Sequence, residues 1–445
     1  MTTGLVDNGL MPDALATPPS VTNSALPATA LILTGGGARA AYQIGVLETI
    51  ADLRKEVGAM DQGNPFPIIG GTSAGALNAA ALACGCDDFD ATVRMLANVW
   101  RNFHANQVYR ADHISMLRSG ATWLTLLSLG WLLAKWRRIR PRSLLDNRPL
   151  GELLKQLVPL ERLPELIRQG HLQALAVTAS SYSSGEHITF FEGDKRLMPW
   201  VRSQRRSVRD KITHAHLLAS SAIPFVFPAT GLHIDGELAF FGDGSMRQSA
   251  PIAPAIHLGA ERVLVVGAGR IHEPKNNSLP NNNGHYPTLA QIAGHALSNI
   301  FLDALSVDVE RIRRINQTLR LVPQELRSAS NLRPIDLLLI SPSQRLDTIA
   351  ARHIDELPPA VRNVLGGVGV SSHAEDEKGA ALASYLLFEQ GYTRELMALG
   401  QADAMRQRDE ICKFFGWTDP KPQTKIVVAT VTPGLDRRRD PLRLR

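Results

Sequence analysis

Three short stretches hold groups that could do chemistry together. The first is Gly71-Thr72-Ser73-Ala74-Gly75, which follows the apolar run Phe66 to Gly70 and leads into the alanine-rich Ala74 to Ala83. A serine in G-x-S-x-G, between a strand and a helix, is the setting of an exposed nucleophile. Gly71 and Gly75 let the chain turn sharply and bring the helix close to the strand. The helix N-terminus favours negative charge beside Ser73. The same residues also fit a plain small-residue junction with an incidental serine.

The second stretch is Gly35-Gly36-Gly37-Ala38-Arg39, after the short strand Ala30 to Thr34. It satisfies the loose dinucleotide pattern G-x-G-x-x-A through Ala40. That pattern wants an acidic residue ending the next strand, but Pro67 to Gly70 runs into the serine turn instead. Its other reading is an oxyanion hole, in which glycine N–H groups meet developing negative charge and Arg39 adds positive charge. The third stretch is Leu238 to Asp243 followed by Gly244-Ser245, a strand ending in Asp-Gly. A carboxylate backed by apolar residues is desolvated, which raises its pKa from ~3.9 and makes it a better base. Asp-Gly is also a common Asx turn, and by itself that is the simpler account.

The elements that must position these groups alternate strand and helix. Ala40 to Lys55 reads as a helix with Ile44, Leu47, Ile50 and Leu53 apolar at helical spacing. Leu172 to Ala179 and His187 to Phe191 form a hairpin, Glu261 to Gly267 and Ile335 to Ile340 are further strands, and Ser143 to Val158 and Leu289 to Arg320 are helices. Such alternation calls for an α/β fold, a mostly parallel sheet with helices on both faces. The glycine loop and the serine turn, on consecutive βα units, then share the C-terminal edge of one sheet, where ligands bind. Pro224 ends a helix that begins near His216. Arg202, Arg205, Arg206, Arg209 and Lys211 form a basic run, by default a solvated helix face and otherwise a lipid-headgroup patch. Residues 120–134 carry no charge and are followed by five basic residues up to Arg142. With Trp123, Trp131 and Trp136 nearby, they fit either an interfacial segment or a buried helix, being short of the ~20 residues of a spanning helix.

The chain has 445 residues, 44% hydrophobic and 20% charged, which is enough for a large core. The net charge of +6 permits attraction to anionic surfaces without naming one. Nucleic-acid binding has only charge in its favour, without interleaved aromatics. Cys84, Cys86 and Cys412 are too few for a disulfide framework, and no Cys/His grouping has metal-ligand spacing. Met1 to Ala28 reads as a disordered leader with no signal-peptide pattern. The expected location is cytoplasmic, peripheral to membrane. The expected division is a leader over 1–28, a catalytic α/β domain over 29–345, a helical C-terminal lobe over 346–416 and a basic tail over 417–445.

Together with Ala219-Ser220-Ser221-Ala222-Ile223-Pro224, the three stretches resemble in order and spacing the four blocks of the patatin-like phospholipases, over about residues 30–267. The resemblance implies a three-layer α/β/α patatin-like sheet domain with additional C-terminal helices. It implies a calcium-independent Ser–Asp dyad hydrolysing lipid acyl esters, with phospholipid or lysophospholipid as substrate and no cofactor or metal. Carried onto this chain, Ser73 is the nucleophile and Asp243 the general base. Gly35, Gly36, Gly37 and Ala38 supply oxyanion donors with Arg39 in support, and Gly71 and Gly75 frame the elbow. Ala40 stands where the family often has glycine, and Ser245 where it usually has glycine or alanine. Two other readings remain: a Ser–His–Asp esterase using His257 or His295, and a non-catalytic lipid- or nucleotide-binding membrane adaptor.

Overall fold

The strand β1 (Thr29–Leu33) is buried along its whole length, as expected of a short apolar strand covered on both faces. In this computed structural model, residues 28–110, 143–246, 248–270, 289–327, 332–367 and 380–418 are described. The leader, the tryptophan-rich stretch 120–136, the polar loop 276–284 and the tail beyond 418 lie outside the described residues.

β1 sits between β2 (Ile68–Thr72) and a later strand, Arg262–Val266, parallel to both. β3 (Ala174–Ser181) lies parallel to β2 on its far side and turns back as the antiparallel β4 (His187–Gly193). β5 (Val201–Arg202) and β6 (Arg205–Arg209) form the sheet edge beyond β4. β7 (Thr230–Ile234) pairs with β8 (Glu237–Asp243), and β8 pairs with the end of β3. The strand beside β1 is β9, and β10 (Asp336–Ile340) closes the other edge.

Helices cover both faces. On one lie α1 (Ala41–Glu56), α2 (Ala74–Cys84) and α3 (Phe89–Arg101), joined by α4 (Arg148–Leu157) and α5 (His214–Ser220). On the other lie α6 (Ala253–His257) and α7 (Leu289–Leu321), whose Leu305, Val309 and Ile312 pack over Ile32, Ala176 and Val265. The C-terminal α8 (Gln390–Arg406) packs along α1, and with α9 (Arg408–Phe415) it shares the core of the first face. The molecule is therefore a mixed α/β sheet in a three-layer arrangement, with additional C-terminal helices. Among the described residues no helix is long and apolar enough to cross a membrane.

Two segments differ from the sequence reading. The basic run is not a helix face. It is the β5–β6 hairpin, and charged side chains suit an edge position because they discourage further strand pairing. The helix expected from Ser143 begins only at Arg148. Leu144 and Leu145 donate backbone hydrogen bonds to Phe225 and Val226, and Pro149 sits in the first helical turn.

Candidate active site

Strand register brings the serine and the aspartate together. Leu33 pairs with Gly71, and Thr72 with Thr178. One residue further along β3, Ala179 pairs with Asp243 of β8. Ser73 and Asp243 thus meet on one edge of β3, the edge away from β4, where β2 ends and the antiparallel β8 runs in to meet it. Ser73 Oγ donates to Asp243 Oδ2 at 2.5 Å.

Ser73 caps α2 with φ 55° and ψ −133°, a conformation that costs a non-glycine residue about 1–3 kcal/mol. Its surroundings enforce that turn. The Ser73 N–H donates to Ser220 Oγ at 2.9 Å, and Ser220 Oγ donates to the Thr178 carbonyl at 2.6 Å. Ala76 N–H returns to the Ser73 carbonyl at 2.8 Å. Gly75 is required by close approach, since a Cβ there would lie 2.3 Å from the Leu33 carbonyl oxygen. Gly71 in turn lies against the Gly75 backbone. The turn therefore presses the first residues of α2 onto the end of β1, beside the glycine loop.

Asp243 is wholly buried. Its backbone N–H donates to the Ala222 carbonyl at 2.9 Å, and its Oδ1 accepts from Ser245 N–H at 2.8 Å. Burial pushes its carboxyl up to about 6, against the pull of the Ser73 hydroxyl and Ser245. At neutral pH it is still mostly ionised, with a proton affinity suited to general-base work. The Asp-Gly pair is thus a carboxylate site and a turn at once, because Met246 N–H also bonds the Asp243 carbonyl at 3.2 Å.

The glycine loop is held from both sides. From within the sheet domain, Gln43 Nε2 donates to the Thr34 carbonyl at 2.8 Å, and Asn78 Nδ2 donates to Gln43 Oε1 at 3.1 Å. Trp100 Nε1 donates to Asn78 Oδ1 at 2.9 Å. From the C-terminal side, residues 384–385 close on the loop. Arg39 is buried, its Nε donating to Ser384 Oγ at 2.7 Å and its guanidinium lying 4.1 Å over the Tyr385 ring. Gly37 has φ 55°, and a Cβ there would lie 2.3 Å from the Tyr385 carbonyl oxygen. Ala38 departs from the sequence expectation, because its N–H already donates to that carbonyl at 3.1 Å. Arg39 N–H is likewise occupied, by Gly36 O at 3.1 Å. The N–H groups of Gly35, Gly36 and Gly37 have no acceptor among the described residues.

Of the two expected histidines, His257 does not join the pair. The His257 ring stacks on Trp200 at 4.9 Å, and burial with Arg202, Arg205 and Arg333 nearby pushes it down to about 4. His295 lies on α7, and its side chain is outside the described residues. The histidine that borders the site is His187, whose Nε2–H donates to the Gly244 carbonyl and which burial holds neutral, down at about 4. Sequence reasoning assigned no role to Ser220, His187, Asn78 or Ser384. Only Ser220 carried a signal, standing inside one of the four blocks. Cys84, Cys86 and Cys412 are buried, and none forms a disulfide among the described residues.

The chain is similar to the solved structure of VipD from Legionella pneumophila at 12% identity and TM-score 0.31, over 87% of this chain and 67% of that one. It is also similar to the type III effector ExoU at 13% identity and TM-score 0.26, over 87% and 88%. A third similar structure is the ExoU–SpcU complex from the type III secretion system of Pseudomonas aeruginosa, at 16% identity and TM-score 0.24, over 87% and 78%. Scores this low carry no argument about this chain. No curated protein sequence matches it. The model of one family, the patatin-like phospholipases, matches residues 31–256, just over half of the 445 residues and the whole of the Ser73–Asp243 construction. The chain belongs to the patatin-like phospholipases.

Proposed function

We propose that this protein is a calcium-independent lipid acyl hydrolase of the phospholipase A or lysophospholipase type, working through a Ser73–Asp243 dyad. The observation that carries the reading is the 2.5 Å hydrogen bond from a strained elbow serine to a buried carboxylate with raised pKa. Membership of a lipid-hydrolysing family supports the substrate class.

In this reading Asp243 takes the Ser73 proton as Oγ attacks the ester carbonyl. The carbonyl oxygen becomes an oxyanion, which the N–H groups of Gly36 and Gly37 meet, an effect worth about 3–4 kcal/mol per donor in comparable sites. The N-terminus of α2 adds favourable potential. Collapse expels the alcohol, which takes the proton from Asp243, and leaves an acyl-serine. Asp243 then deprotonates a water that releases the fatty acid and regenerates Ser73. Ser220 and the Gly75–Leu33 contact hold the elbow, and Arg39 holds the loop. Peripheral, salt-sensitive attachment to anionic bilayers fits the net charge of +6.

The test is fatty-acid release from a panel of phospholipids and lysophospholipids with chelator present. Wild-type protein is expected to release fatty acid and to label at Ser73 with a fluorophosphonate, and Ser73→Ala is expected to do neither. Equal release by both proteins would overturn the reading. So would full activity of Asp243→Asn, or loss of activity in His257→Ala, which would restore the Ser–His–Asp alternative.

A further inference from the structure

The basic run has no part in the dyad chemistry. Its hairpin turns at Ser203 and Gln204, and β6 lies parallel to β4 with Arg205 paired to His187. Two adjoining clefts, both open to solvent, share these two side chains. One is walled by Ser180, Ser203 and Ser249, and the other by Trp200, Arg202 and His257. Both lie on the face opposite α2, with Thr178 and Thr189 continuing the row of Ala176 and Phe191.

The charges of this cleft are not cancelled. The Arg205 guanidinium has no hydrogen-bond acceptor and no ion-pair partner among the described residues, and its Nε is buried. Arg202 Nη1 donates only to its neighbour, the Val201 carbonyl, at 2.9 Å, and meets no carboxylate among the described residues. The carboxylate acting on Arg205, Asp308, is engaged by Ile252 N–H at 3.0 Å and Arg311 at 3.7 Å. Arg206 differs, because Glu186 and Asp235 each lie 3.4 Å from it. The hydroxyls of Ser180, Ser203 and Ser249 have no hydrogen-bond partner among the described residues. An unpaired, partly desolvated guanidinium is costly, and an oxyanion relieves that cost best because it accepts several charge-assisted hydrogen bonds at once.

We propose that this cleft binds a phosphate-type anion, held by Arg205 and Arg202 and completed by the serine hydroxyls, whether it arrives free or as a lipid headgroup. The site is separate from the dyad but touches its neighbours. Gln248, on the cleft wall, donates from Nε2 to Thr72 Oγ1 at 3.1 Å, and His187 donates to the Gly244 carbonyl. Occupancy is therefore felt one residue away from Ser73 and one residue away from Asp243.

Binding is measured on the full chain carrying Ser73→Ala, so that its outcome does not depend on hydrolysis. The probes are inorganic phosphate, by calorimetry, and vesicles of ether-linked phosphatidylcholine with or without ether-linked phosphatidic acid, by co-sedimentation. Arg205→Gln is expected to weaken binding about tenfold or more, with Arg205→Lys between it and the parent, both melting within a few degrees of the parent. Arg202→Gln serves if Arg205→Gln does not fold. In the parent, phosphate should also move the His257 imidazole pKa upward by NMR, because it offsets the two arginines. Binding of free phosphate names the anion itself as sufficient, and Arg205-dependent binding of phosphatidic acid vesicles alone names a headgroup. Absence of binding to both, or equal binding by parent and Arg205→Gln, would overturn the proposal.

Discussion

The two halves of the candidate site are held in different ways. The Ser73–Asp243 half is fixed by neighbours in the sheet: β2 and β8 meet end to end along one edge of β3, and their register on β3 sets the pair in contact. The glycine-loop half leaves the same sheet edge but is locked from outside, by Ser384 and Tyr385 pressing on Arg39 and Gly37. The first half is a property of the sheet. The second is a property of the whole chain, because the C-terminal segment completes what the sheet begins. A strained serine needs only rigid neighbours, whereas a loop that presents bare N–H groups to a substrate must be kept from collapsing onto its own carbonyls.

Substitutions should separate these halves. In the sheet-held half, Asp243→Asn keeps the shape and removes the base, so kcat should fall about 10³–10⁴-fold with an unchanged melting temperature. In the loop, Gly37→Ala should cost about a hundredfold in kcat and also lower stability, because a left-handed backbone and the Tyr385 carbonyl both oppose a methyl group. A pH profile of kcat/KM reads the sheet-held half alone. Asp243 must be ionised to act and its pKa is raised to about 6, so activity should fall by about tenfold between pH 7 and pH 5. The smallest effect belongs to Ser384→Ala, which removes one partner of a buried guanidinium. A loss of a few-fold in kcat, with the pH midpoint unmoved, would show that the anchor acts on the loop and not on the base. A shifted midpoint would erase the distinction between the halves.

How far each half could be read from the sequence follows the same division. Ser73, Asp243 and the glycine loop stand in short blocks whose spacing reflects strand ends and turns, and local chemistry writes those blocks. The α/β alternation was legible for the same reason, since buried parallel strands are short apolar runs. The anchors were not legible. Arg39 and Ser384 are 345 positions apart, and Ser384 sits in an ordinary alanine-rich stretch. Asn78 looks like one polar residue in an apolar helix until Gln43 and Trp100 are seen to meet it. The basic run was misread because five cations carry no apolar period, and an edge hairpin needs none. Ala38 was expected as a donor because backbone N–H groups look alike in a sequence. Only the fold reveals that Tyr385 already accepts from it.

The long reach of Arg39 also bears on the order of manufacture. At about 5–20 residues per second, a ribosome adds Ser384 some 20–70 s after the arginine it anchors. During that interval the nascent chain already contains Ser73, and later Asp243, while its glycine loop has no outer lock. On the proposed function, the nascent chain is therefore expected to stay inactive until the segment around Ser384 has emerged and closed on the loop. Chains stalled before residue 380 are expected to resist fluorophosphonate labelling, and chains stalled after the C-terminal helices have emerged are expected to label. Equal labelling of the two would show that the sheet alone is enough.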